Sequence, residues 1–262
     1  MDRFAAAARL IAEHRTKLRP LDELPVDLAP RDGEEGYCVQ EALHRALAAA
    51  GRGAVAGWKI GCTTPVMQAY LGIATPCAGG ILGPTVHASG AVLPHEAFVR
   101  VGVECEIAVR LAASLPPAAA PFDRASVAAA VGEIMAAIEL VDDRYADWRR
   151  LDAPTLCADD FFGAGCVLGE PAADWRRRDL ALAHGRMAVD GVETGTGRGA
   201  DVMGHPFEAL AWLANLRARR GTGLAAGDVV MTGSIVQTRW IARGEAVTVA
   251  IDGLGEARVR FD

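Results

Sequence analysis

The chain has 262 residues, 51% of them hydrophobic, 23% charged and 6% aromatic, with a formal net charge of −6. That length can bury a full core, and the composition is that of a folded globular protein, not a disordered one. The acidic balance offers no basic stripe for a phosphate backbone, which excludes nucleic acid as the main partner.

The first fifty residues read as helical. One amphipathic helix is expected over roughly 2–18, where acids and bases break up the apolar run too often for a signal peptide. A turn through Pro20, Pro25 and Pro30 leads to a second helix over roughly 34–50, and Gly51 and Gly53 then punctuate the chain. From Ala54 the pattern changes to short strands, the first carrying Gly57-Trp58-Lys59-Ile60-Gly61. The division expected is therefore a helical N-terminal region, 1–53, and a strand-rich domain, 54–262.

A short helix is expected over Thr64–Leu71, then irregular chain to about Arg100. The uncharged stretch from Ile60 to His95 contains six glycines and four prolines, so it cannot be a membrane-spanning helix. A strand follows over Val101–Leu111, a helix near Asp123–Met135, and a buried strand from Ala137 that ends in Asp142, Asp143 and Arg144. Gly163–Gly169 and Leu180–Val189 read as strands, with Asp190-Gly191 as a hairpin turn. The glycine-rich segment from Gly195 opens a helix that has Pro206 in its first turn and runs to about Arg220. Strands near Asp228–Thr232, Ala246–Ile251 and Ala257–Phe261 complete an α+β chain of mixed or largely antiparallel pairing. Six cysteines lie scattered without a CxxC pair, as reduced thiols of a cytoplasmic protein would.

Chemistry concentrates on the strand Val101–Leu111. Alternation puts Val103, Cys105, Ile107 and Val109 on one face and Glu104 and Glu106 together on the other, flanked by the small residues Gly102 and Ala108. Paired carboxylates fit a solvated face, a shared proton or a bound hard cation. A cation needs more oxygens than two residues supply. Glu139, between Ile138 and Leu140, is the third candidate, with Asp142 and Asp143 as alternatives. All-oxygen ligation favours Mg²⁺ or Mn²⁺ over zinc.

Lys59, in an otherwise apolar strand, is a snorkelling surface lysine, a group that holds a substrate anion, or a base if burial lowers its pKa. Thr232-Gly233-Ser234 could present hydroxyls and backbone amides to a small anion. The Gly195–His205 segment matches no nucleotide-binding fingerprint, and no GxSxG elbow is present.

Taken together, these motifs resemble the 2-keto-4-pentenoate hydratases and 4-oxalocrotonate decarboxylases, a branch of the fumarylacetoacetate hydrolase (FAH) superfamily. The resemblance rests on Gly57-Trp-Lys-Ile-Gly61, Glu104-x-Glu106, Ile138-Glu139-Leu-Val, Asp147-Trp148, Ala158-Asp159-Asp160, Gly197-Arg-Gly199 with Gly204-His-Pro206, and Gly227-Asp-Val-Val-Met-Thr-Gly-Ser234. It implies an FAH-like mixed β-roll with a small helical N-terminal region, and Mg²⁺ or Mn²⁺ held by Glu104, Glu106 and Glu139. It also implies a 2-oxo or 2-hydroxy-dienoate substrate and a homo-oligomer. Lys59, Asp160 and Ser234 are then the catalytic candidates, and Lys59, Cys77, Phe162, Thr232 and Gly233 the substrate-binding ones.

Two positions depart from the pattern. Some hydratases carry an acid where this chain has Pro76-Cys77-Ala78, and a small hydroxyl residue near Phe162. The activity expected is hydration of a 2-hydroxy-2,4-dienoate to a 4-hydroxy-2-oxo acid. A decarboxylase, an acylpyruvate C–C hydrolase and a non-catalytic subunit stabilising a related enzyme are the alternatives.

Overall fold

A computed structural model describes residues 2–262. Two N-terminal helices, α1 (Arg3–Thr16) and α2 (Gly33–Ala49), each start behind an aspartate whose carboxylate accepts a first-turn N–H: Asp2 from Phe4, and Asp32 from Glu35. The strand-rich part opens with β1 (Val55–Gly61), α3 (Pro65–Leu71), β2 (Cys77–Leu82), β3 (Val86–Ala88) and β4 (Ala91–Leu93). Next come β5 (Val101–Leu111), α4 (Arg124–Ala130), β6 (Val131–Asp142), α5 (Ala153–Ala158) and β7 (Gly163–Leu168). The chain ends with the hairpin β8 (His184–Val189) and β9 (Val192–Arg198), helix α6 (Pro206–Arg219), then β10 (Val229–Trp240), β11 (Ala246–Ile251) and β12 (Gly255–Phe261).

The strands form two mixed sheets. The larger has the order β2-β1-β10-β5-β6-β7-β3 and the smaller β4-β12-β11-β8-β9. They pack where β12 meets β6 and β9 meets β10. Between them and α6 lies the main core, to which β5 contributes Val103, Cys105, Ile107 and Val109. The opposite face of the larger sheet buries Ala108, Met135, Cys166 and Met231 in a second cluster. A third core joins α1, α2 and α5 to Cys77, Tyr145 and Phe161. No helix among the described residues is long and apolar enough to cross a membrane.

The structure revises several expected elements. The helix expected over Asp123–Met135 stops at Ala130, and β6 begins at Val131. Its start is sound, because Asp123 and Ser126 form a reciprocal capping box. Its end is set by tertiary pairing: β6 runs the full length of β5, from Leu111↔Val131 to Val101↔Asp142, and also pairs with β7. The stretch expected to be irregular before Arg100 contains β2, β3 and β4. Of the strand expected over Leu180–Val189, only the part from His184 forms. β10 continues well past Thr232. The Thr-Gly-Ser turn is instead a bulge, where the register to β5 shifts between Met231 and Ser234 and Gly233 takes φ +123°.

Candidate metal centre and active-site cavity

The three glutamates converge because of strand register. Glu104 and Glu106 share one face of β5, and Glu139 on β6 stands directly opposite Glu104. Each offers a carboxylate oxygen, and these oxygens lie within 4.8 Å of one another. Glu106 and Glu139 are 0% and 1% exposed, which excludes the solvated face. β10, between β5 and β1, supplies two supporting contacts. The Gly233 N–H donates to Glu106 Oε2 at 2.8 Å, and the Thr238 hydroxyl donates to Glu104 Oε1. Gly233 is required at its position: its φ is positive, and a Cβ there would meet Thr63 at 2.6 Å.

Lys59 reaches the trio from β1, its Nζ 3.1 Å from Glu139 Oε1. That contact is an ion pair outside hydrogen-bond geometry. Glu106 Oε1 and both oxygens of Glu139 are buried without a hydrogen-bond donor. Gly61 leaves room for the ammonium, since a Cβ there would lie 3.2 Å from Nζ. Burial lowers the Lys59 pKa, but Glu139, Glu104 and Glu106 outweigh it and hold the group above its ordinary value. Burial, then repulsion from Glu139, pushes Glu104 up to about 7. The same two causes, joined by Glu104, raise Glu106 well above the ordinary carboxylate range. Three carboxylates thus face one ammonium, with buried acceptor atoms left over. Such a donor set fits a hard divalent cation.

A cavity of about 520 Å³ opens beside this cluster. Of the expected site residues, Lys59, Glu104, Phe162 and Ser234 line it. Ser234 donates its hydroxyl to the Val236 carbonyl at 2.5 Å. Thr232 does not reach the cavity: it is fully buried and donates to the Ile107 carbonyl. Gly233 serves Glu106 as described. Cys77 lies outside this cavity, buried beside Cys62 and Cys157, and borders a second cavity of about 740 Å³.

Asp160 is also absent from the cavity wall. Its carboxylate is 0% exposed and already occupied, by Arg15 at 2.9 Å, His44 at 2.7 Å and the Gly80 N–H at 2.8 Å. Burial pushes its pKa up, but His44, Arg15 and the Gly80 amide more than offset this and hold it below the ordinary aspartate value. Neighbouring Asp159 accepts from Arg15, Arg144 and Tyr145. These contacts anchor a segment in which Asp160, Phe161 and Phe162 all take positive φ, 55°, 48° and 65°. A left-handed conformation costs a non-glycine residue about 1–2 kcal/mol. The buried ion pairs hold the segment in place, and it presents both phenylalanines to the cavity.

Sequence reasoning overlooked Thr238, Trp240, Trp148 and Phe161, all on the cavity wall. Thr238 was findable: extending β10 past Gly233 places it in the same alternation as Ser234. Trp148 belongs to the Asp147-Trp148 motif but was given no role in the site, and Phe161 carried no local signal, because the left-handed segment brings it round.

A family model for the fumarylacetoacetate (FAA) hydrolase C-terminal region matches residues 82–262. A 2-keto-4-pentenoate hydratase of Burkholderia vietnamiensis is 32% identical over 98% of this chain and 97% of its own length. The chain belongs to the fumarylacetoacetate hydrolase family. Within that family, a 4-oxalocrotonate decarboxylase of Pseudomonas putida is 30% identical over 87% of this chain and 84% of that one. The solved structure of 4-oxalocrotonate decarboxylase from Pseudomonas putida G7, complexed with magnesium and adipate, superposes with a TM-score of 0.92 at 28% identity. It covers 99% of this chain and 97% of that one. The two-sheet architecture is thus the FAH-like fold anticipated from the motifs.

Proposed function

We propose that the protein is a divalent-metal-dependent hydratase that adds water to a 2-hydroxy-2,4-dienoate and yields a 4-hydroxy-2-oxo acid. The observation that carries this reading is the buried Glu104, Glu106 and Glu139 cluster with Lys59 against it. Its hydratase relatives support the reaction class.

Glu104, Glu106 and Glu139 would hold Mg²⁺ or Mn²⁺, and the cation when bound supplies positive charge to a substrate's carboxylate and 2-oxygen. Among the free glutamates the Lys59 pKa is held above its ordinary value. Its ammonium, buried beside Glu139, is placed to donate a hydrogen bond toward the 2-oxygen as enolate character develops there. Thr238 and the Gly233 N–H fix the carboxylate rotamers, so little reorganisation accompanies the charge shift. Phe161, Phe162 and Trp148 keep bulk water from the diene. Ser234 lines the cavity, its hydroxyl donated to the Val236 carbonyl. Asp160, committed to Arg15 and His44, positions the phenylalanine segment.

We also infer a homo-oligomer in the cytoplasm, in which residues 1–53 buttress the catalytic domain 54–262. The helical core supports the buttress, since it takes Tyr145 and Phe161 from the later chain. A second reading, decarboxylation, is favoured by the TM-score of 0.92 to the solved decarboxylase. Incubation with Mg²⁺ and 2-hydroxypenta-2,4-dienoate separates the two. Loss of the dienol absorbance with formation of 4-hydroxy-2-oxopentanoate supports the hydratase. Carbon dioxide release from 4-oxalocrotonate, without hydration of the dienoate, replaces it with the decarboxylase.

A further inference from the structure

The cavity is far larger and more apolar than its charged end requires. At about 520 Å³ it falls among sites that enclose drug-sized ligands, about 300–1,000 Å³. A five-carbon acid fills only a fraction of it.

An aromatic path leads away from the metal centre. The Lys59 ammonium stands 5.6 Å from the centre of the Phe161 ring. Ring centres then follow at 5.7 Å from Phe161 to Phe162, 5.8 Å from Phe162 to Trp148, and 5.9 Å from Trp148 to Tyr70 on α3. Phe161, Phe162 and Trp148 line the cavity with Met67 and Leu71 of α3, whereas Tyr70 borders the second cavity.

Charge is arranged asymmetrically. Lys59 is the one cation among the described residues that line the cavity, and it is already engaged at the metal end. Asp201 adds an exposed carboxylate at the wall. Arg31 and Arg149 line the second cavity, beyond Leu71 and Trp148, which border both. Arg149 is held by Asp147 at 2.8 Å. A second carboxylate on the ligand would lie against aromatic rings and meet no cation among the described residues that line this cavity.

From this we infer that the site selects 2-oxo or 2-hydroxy acids with one carboxylate and an extended apolar tail, and discriminates against diacids. The inference rests on the metal-centre reading given above and concerns the opposite end of the same cavity. The solved decarboxylase is complexed with adipate, a diacid, so this chain is expected to differ from it in preference.

The test measures binding by calorimetry of the full chain with Mg²⁺ and non-reacting 2-oxo acids. The series is 2-oxobutanoate, 2-oxohexanoate, 2-oxooctanoate and 2-oxo-4-phenylbutanoate, with 2-oxoadipate as the diacid. Affinity should rise by up to about fourfold per added methylene that reaches the aromatic wall. The diacid should bind at least roughly tenfold more weakly than 2-oxohexanoate. Phe162→Ala and Trp148→Ala should each flatten the dependence on tail length, read as the affinity ratio of 2-oxooctanoate to 2-oxobutanoate. Met67→Arg should shift the ratio toward the diacid. Affinity independent of tail length, or a diacid bound as tightly as the monoacid, overturns this inference and leaves the metal-centre reading standing. Failure of every 2-oxo acid to bind overturns both.

Discussion

At the scale of single residues, the site stores repulsion. Glu106 is buried between two other carboxylates, one of its oxygens has no donor, and the Gly233 N–H and the Lys59 charge only partly offset the repulsion. Replacing it with glutamine preserves shape and can still accept from Gly233, while the charge is lost. The metal-free Glu106→Gln variant should therefore unfold at a higher denaturant concentration than the wild type. The same variant should lose divalent-metal affinity and turnover. Chemical denaturation in EDTA and metal titration by calorimetry check the two halves, and a less stable variant would remove the case for stored repulsion. Thr238 is a gentler probe, since it touches only the outer oxygen of Glu104. Thr238→Val should weaken metal binding about 10–100-fold, and Thr238→Ser should restore most of it.

At the scale of elements, the left-handed segment after α5 depends on the N-terminal helices. Arg15 on α1 and His44 on α2 converge on Asp160, and Arg15 also reaches Asp159. Removing the cation leaves buried carboxylates short of a partner, so Arg15→Met should cost about 3–5 kcal/mol. Asp160 also sets a pH dependence. Its folded pKa lies below the unfolded value of about 3.9, so its stabilisation is complete above that value. It is lost as pH falls through the depressed folded pKa. Asp160→Asn should thus be destabilised at pH 7, with the gap to the wild type closing as pH drops below about 4; a constant gap in pH-resolved denaturation would contradict this.

The same elements show why the sequence was only partly legible. Glu104 and Glu106 could be paired in advance because strand alternation is strictly local, whereas Glu139 was one of three candidates until the family resemblance singled it out. The α4–β6 boundary was hidden, because Ala128, Ala129 and Ala130 continue the helical pattern until pairing with β5 overrides it. Phe162 was reached through the family resemblance, but the left-handed turn that carries it and Phe161 was hidden for a different reason. Its conformation is imposed by Arg15 and His44, more than a hundred residues away in sequence.

At the scale of the molecule, the candidate metal centre spans the middle of the larger sheet. Lys59 comes from β1, Gly233 and Thr238 from β10, Glu104 and Glu106 from β5, and Glu139 from β6, and these four strands are consecutive in the sheet. A cation there would relieve repulsion among carboxylates that separate only when the sheet opens, so its binding energy belongs to global unfolding and not to a local loop. Saturating the site at about 100 times its dissociation constant should add about 2.7 kcal/mol. For a chain of this size that raises the melting temperature by roughly 5–10 °C. The rise should scale with the logarithm of Mg²⁺ or Mn²⁺ concentration in differential scanning calorimetry and reverse with EDTA. Glu139→Gln should abolish it, because the buried trio is broken while the exposed acids stay unchanged. An undiminished shift in that variant would place the stabilising cation elsewhere on this acidic chain.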